Sequence, residues 1–172
     1  MDTLISSKKV YDGAILRLLR QKRRLPNGRV KTFEVIEHPG AVLVLPVFRD
    51  GRVVLIRQYR AAIDTYLYEL CAGTLNQGED PAACAKRELL EETGYQARTM
   101  KKIGAIYPAP GYTTEKIHLY MAGGLLQRGA LVEDDEIIET CIVTRAQIRK
   151  LLKGRLIVDA KTISALVLGG II

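Results

Sequence analysis

Two uninterrupted apolar runs, Ala41–Val47 and Val53–Ile56, are joined by little more than Arg49-Asp50-Gly51. Short continuous runs bounded by turn residues read as strands buried on both faces, whereas a half-exposed strand would alternate apolar and polar residues. The spacing predicts a hairpin of buried strands, with which the main domain begins. Downstream, Asp80 can accept bonds from orphan amides and Pro81 suits a first helical position, so a helix is predicted to start there and to end at Gly94 as a left-handed cap. Alternation in Ile117–Met121 predicts a further strand after the Pro108–Glu115 loop. Thr144 and Gln147 match a capping box for a helix that Gly154 ends, and Asp159 caps a last helix through Leu168. Strands first, one helix in the middle and two late helices make a mixed α/β core. Ahead of it, residues 1–37 carry nine basic and four acidic side chains, and Pro26-Asn27-Gly28 marks a tight turn between extended segments. The chain therefore divides into an N-terminal β-hairpin extension, 1–38, and a main domain, 39–172.

The chain has 172 residues and a net charge of +7, which first suggests a nucleic-acid or anionic-surface partner. No apolar stretch approaches the roughly 20 residues of a membrane-spanning helix. Asp2 and Ser6-Ser7-Lys8-Lys9 interrupt the apolar core that a signal peptide requires, so a cytoplasmic protein is expected. Cys71, Cys84 and Cys141 form no CxxC pair and are odd in number, which fits reduced, buried thiols. His38 and His118 are too few to suggest a transition-metal site. The charge is also unevenly spread. Residues 79–92 and 133–139 hold ten of the 19 acidic residues, and the rest of the chain has 24 basic against nine acidic groups, a surplus of +15.

The acidic helix is the feature that stability does not explain. Taking Glu88 as zero, Glu92 falls at about +40° and Glu91 at about −60°, beside an apolar stripe of Ala85, Leu89 and Ala82. Like charges at these spacings cost about 0.2–0.5 kcal/mol per pair, and carboxylates in the last helical turn oppose the helix dipole by about 0.3–1 kcal/mol each. A divalent cation reverses both signs. Mg²⁺ in particular takes hard oxygen ligands, with one or two carboxylates completed by waters and substrate phosphates.

Gly73, five residues, Glu79, seven residues and then Arg87-Glu88-Leu89-Leu90-Glu91-Glu92-Thr93-Gly94-Tyr95 resembles the Nudix box, the signature of the Nudix hydrolases. Only Tyr95, where an aliphatic residue is usual, departs from the pattern. The resemblance implies an α/β/α sandwich with a mixed β-sheet that hydrolyses a nucleoside diphosphate linked to another group. Glu88, Glu92 and the backbone carbonyl of Ala72 are then the expected metal ligands, with Glu91 a further ligand or water-holding group. Glu79 and Arg87 match the structural pair that fixes the loop against the helix, so charge reversal at Arg87 is expected to damage the folding of the site.

Pro110, sixteen residues after Gly94, marks the ADP-ribose pyrophosphatase branch by resemblance. An acidic loop at the place of residues 131–139 supplies, in that branch and in GDP-mannose pyrophosphatases, another metal ligand and the general base: Glu136 for the first, Glu133 or Asp134 for the second. The chemistry requires this equipment, because a diphosphate repels an attacking water until its charge is neutralised, and a carboxylate must take the proton. Arg57 and Arg60 are candidate phosphate clamps, since a guanidinium fork matches phosphate geometry. Glu69 lies where the family often has an acidic residue near the metal, and Glu115 completes the substrate-binding candidates. The resemblance thus implies Mg²⁺-dependent cleavage of ADP-ribose to AMP and ribose 5-phosphate, Mn²⁺ being a possible substitute. The alternatives are GDP-mannose or another nucleotide sugar, a non-catalytic nucleotide sensor, and cap hydrolysis on RNA. It also implies a homodimer in which the N-terminal extension swaps between subunits and helps line the base pocket. Few aromatics interleave the basic extension, which argues against single-stranded nucleic acid.

Overall fold

The computed structural model describes residues 3–14, 16–129 and 138–172. In chain order the elements are β1 (Thr3–Asp12), β2 (Arg17–Arg24), β3 (Val30–Glu37), β4 (Ala41–Pro46), β5 (Val53–Arg60), β6 (Thr65–Glu69), β7 (Ala72–Thr74), α1 (Pro81–Thr93), β8 (Tyr95–Gln96), β9 (Thr99–Ile106), β10 (Ile117–Gly123), β11 (Leu126–Gln127), β12 (Ile138–Val143), α2 (Arg145–Lys153) and α3 (Ala160–Leu168). The chain forms two compact units, Met1–Gly40 with Tyr107–Lys116, and Ala41–Ile106 with Ile117–Ile172. Among the described residues no helix is long and apolar enough to cross a membrane.

The first unit is an antiparallel sheet in the order β1-β2-β3. The predicted hairpin is β2–β3, with Arg24 opposite Val30 and a turn in which Gly28 takes φ +81°. A third strand extends it: β1, exposed at every position, pairs along the outer edge of β2. Alternation does not mark β1 in the sequence, because neither of its faces is covered within the unit. The late loop closes on β3, where the Ile36 N–H donates to the Tyr112 carbonyl and Thr114 N–H donates to the Ile36 carbonyl.

In the second unit the two apolar runs behave differently from a hairpin. Only the tip forms, with the single bridge Val47–Val53 and a turn in which Gly51 N–H donates to the Phe48 carbonyl. Beyond it the strands part into separate sheets, β7-β4-β10-β9 and β12-β5-β6. A strand has two edges. Those of β4 are taken by β7 and by a parallel partner, β10, and those of β5 by β12 and β6.

The sandwich follows from alternation along the buried β4. Val42 and Val44 pack with Cys84, Ala85 and Leu89 of α1. Leu43 and Leu45 pack with Ile148 of α2 and Ala165 and Leu166 of α3. Each such side chain contributes about 1.5–3 kcal/mol of burial, which is what fixes helices on both faces. Asp80 accepts from Ala82 N–H and Ala83 N–H at 3.0 Å each, and Gly94, at φ +73°, closes α1 as the sequence predicts. Tyr95, the departure from the box, is buried and meets Phe48 edge-on at 5.5 Å between ring centroids.

Candidate active site

The register of β7 on β4, with Ala72 opposite Leu43 and Gly73 opposite Val42, sets a short backbone segment beside α1. Two carboxylates of the helix come down on it. Glu92, 3% exposed, accepts a hydrogen bond from the Ala72 N–H at 3.1 Å through Oε2. Glu88 lies over Gly73 so closely that a Cβ built there would stand 1.9 Å from its carboxyl carbon and from Oε1. The glycine is therefore required for the approach of a side chain, since its backbone here is not in the left-handed region.

The loop between β7 and α1 is pinned by Arg87. Its Nε and Nη2 donate to the two oxygens of Glu79 at 3.1 and 3.2 Å, while its Nη1 lies 2.7 Å from Glu88 Oε1 and donates to Glu91 Oε2 at 2.9 Å. The Asn76 N–H donates to Glu79 as well, at 2.9 Å. Arg87 and this amide lower the Glu79 carboxyl to about 2, and Glu79, above all, raises the Arg87 guanidinium. Because the folded value lies below the ordinary one, the stabilisation is complete above the usual carboxylate range and is lost only as pH falls toward 2. The neighbouring Cys84 thiol is pushed up to about 12, chiefly by burial, so it is not a nucleophile at neutral pH.

Arg87 also explains how three carboxylates coexist on one helix. It compensates Glu91 and Glu88 directly, leaving Glu91 half-buried on the loop side, while Glu88 and Glu92 flank the 72–73 backbone. Among the described residues no group of three or more His, Cys, Asp or Glu side chains is arranged to hold a metal. What is present is a pair of hard carboxylates beside a tightly approached peptide. That set fits Mg²⁺, which takes one or two carboxylates and completes its shell with carbonyl, water and phosphate oxygens, and it lacks the soft or imidazole ligands that zinc and copper prefer.

Of the phosphate-clamp candidates, Arg60 forms a fork–fork pair with Glu69, both contacts at 2.8 Å. Glu69 raises the Arg60 guanidinium, with Glu92 and Asp159 adding smaller contributions, so Arg60 feels the charge of Glu92, one of the two α1 carboxylates beside the 72–73 backbone. Arg57 lies 3.3 Å from Glu139 across the β5–β12 ladder and 4.1 Å over the Tyr66 ring. Glu115 belongs to the first unit, where its N–H donates to Thr113. Glu133, Asp134 and Glu136 lie outside the described residues.

Sequence reasoning missed Lys161. Its ammonium bonds to Glu69, 92 residues away in the chain, and to Asp159 Oδ1 at 2.9 Å. Asp159 is legible as a helix cap, and it is one, but nothing near Lys161 in the sequence points to a partner so distant.

Residues 37–166 match the NUDIX domain family. An ADP-ribose pyrophosphatase of Bacillus subtilis is 37% identical over 94% of this chain and 89% of its own length. A GDP-mannose pyrophosphatase of Cronobacter sakazakii is 36% identical over 77% of this chain and 78% of its own. The crystal structure of an ADP compounds hydrolase superposes with a TM-score of 0.83 at 25% identity, covering 97% of this chain and 91% of that one.

Proposed function

The chain belongs to the NUDIX family and is a Nudix hydrolase, and on that premise we propose that it cleaves the diphosphate of ADP-ribose with Mg²⁺. Water adds to one phosphorus, the bridging P–O bond breaks, and AMP and ribose 5-phosphate leave. The observation that carries this reading is the seating of Glu88 on Gly73 and of Glu92 on the Ala72 N–H, a backbone-and-carboxylate cradle of hard oxygens. Nudix hydrolases use a divalent cation. Glu88, Glu92, the Ala72 carbonyl and Glu136 would hold Mg²⁺, or Mn²⁺ in its place, which when bound would neutralise the charge of the diphosphate and acidify the attacking water.

The remaining roles fall to the chain's own groups. Glu133 or Asp134 takes the proton from water, and Glu91, held by Arg87, stays as a water-positioning carboxylate. Arg57 and Arg60 bind phosphate oxygens, and Glu115 contacts the substrate. The relation to a GDP-mannose pyrophosphatase supports a second reading, in which a GDP-sugar is preferred. Incubation with ADP-ribose, GDP-mannose and other nucleotide sugars, with chromatographic identification of products, decides between them. Faster turnover of ADP-ribose, giving AMP and ribose 5-phosphate, is expected; equal or greater turnover of GDP-mannose overturns the assignment.

The N-terminal extension, 1–38, is proposed to form a homodimer. Strand β1 offers Leu4, Ile5, Val10 and Tyr11 to solvent, a long edge of the kind that a second chain covers. Light scattering is expected to give twice the chain mass, and a monomer of full activity removes this proposal. The three free cysteines suit a reducing, cytoplasmic setting.

A further inference from the structure

Glu69 is only 1% exposed, and a charge so placed must be neutralised by partners. Two cations reach it, Arg60 at the end of the neighbouring strand β5 and, from far along the chain, Lys161 in the first turn of α3. Burial pushes the Glu69 carboxyl up, and the two cations more than offset it, leaving it below its ordinary value. The first turn of α3 is itself firmly held. Asp159 accepts from the Thr162 N–H at 2.9 Å and pairs with Lys161, while the buried Thr162 hydroxyl accepts from the Leu70 N–H at 2.9 Å. Helix α3 is thus latched to Glu69 and Leu70, two residues before the Ala72 amide that meets Glu92.

We propose that Lys161 is a positioning residue for substrate binding, acting through Glu69 to keep Arg60 oriented and electrostatically available to a phosphate oxygen of the nucleoside diphosphate. This rests on the reading of Arg60 as a phosphate-binding residue. Arg60 spends Nε and Nη2 on Glu69, and among the described residues its Nη1 makes no hydrogen bond. Its side chain is 36% exposed, so the guanidinium is not sealed from solvent, and Nη1 is the donor left for an anion. A guanidinium already fixed along one edge loses little conformational freedom when it binds phosphate along the other. Without Lys161, Arg60 alone faces the buried carboxylate. The neighbourhood is then one unit more negative, and the substrate's phosphates are repelled. That change weakens ground-state and transition-state binding alike, so it raises KM and spares kcat.

Lys161→Met keeps the aliphatic stem and removes the charge. Its KM for ADP-ribose is expected to rise roughly tenfold with kcat within about twofold of the parent, and Lys161→Arg is expected to restore most of the loss. Arg60→Gln is measured alongside, with thermal melting of every variant. A raised KM in both Arg60→Gln and Lys161→Met, with rescue by arginine at 161, supports the proposal. A raised KM in Arg60→Gln alone overturns the role of Lys161, as does a Lys161→Met defect that arginine does not rescue. An unchanged KM in Arg60→Gln overturns the reading of Arg60, and the proposal with it. Turnover of ADP-ribose by the parent protein tests the proposed function separately.

Discussion

Gly73→Ala is expected to lower kcat by roughly two orders of magnitude while leaving a folded protein, since displacing a reacting group by about 1 Å can cost on the order of a hundredfold. The new methyl would lie 1.9 Å from the Glu88 carboxyl carbon and Oε1 and 2.4 Å from Oε2. No such contact can persist, so one side must move. The backbone of Gly73 is held in the ladder with Val42, whereas the obstructing atoms are the end of a rotatable side chain. Glu88 therefore swings away. The fold bears the ordinary penalty of overpacking, about 1–3 kcal/mol, or a melting shift of several degrees for a chain of this size. The site loses a carboxylate proposed to hold the metal. Steady-state turnover with a melting curve separates these effects, and an alanine variant that keeps full turnover would show that the close seat of Glu88 is dispensable.

Glu92→Gln isolates charge from shape. The glutamine carbonyl oxygen can still accept from the Ala72 N–H, so the 3.1 Å contact that seats the helix end on β7 is retained. The negative charge is not. Metal-ion chemistry supplies several kcal/mol of transition-state stabilisation, and each 1.36 kcal/mol is tenfold in rate, so turnover is expected to fall on the order of a thousandfold. Stability should move the other way. In the metal-free protein, removing an anion from the last turn of α1 relieves its opposition to the helix dipole, a gain of about 0.3–1 kcal/mol. Added Mg²⁺ is expected to raise the melting temperature of the parent protein and to leave that of Glu92→Gln nearly unchanged, because only a bound cation shifts the folding equilibrium. Parent-like turnover by this variant would remove Glu92 from the proposed ligand set.

Much of α1 and its loop can be read from the chain alone. Asp80, Pro81 and Gly94 act within four residues of the groups they satisfy, and the structure places the helix boundaries where they predict. The same holds for Thr144, whose hydroxyl accepts from the Gln147 backbone N–H while the Gln147 side-chain Oε1 accepts from the Thr144 backbone N–H. The pairing of Glu79 with Arg87 also follows from the box, since eight residues of loop and helix bring them together. The apolar runs are legible as buried strands, yet their partners are not. A hairpin and a splayed pair with four other neighbours bury the same residues, and the choice depends on which distant strands compete for each edge.

The sequence by itself determined the helix ends, the apolar strand runs and the clustering of Glu88, Glu91 and Glu92 on one helix, because caps, period and like-charge spacing are short-range physics. Only the tertiary structure decided that Glu88 rests on Gly73, that β4 runs parallel to β10, and that Glu69 is neutralised jointly by Arg60 and Lys161. Those outcomes turn on burial. A carboxylate removed from water must collect cations from wherever the fold brings them, and a strand buried on both faces must find a partner on both edges.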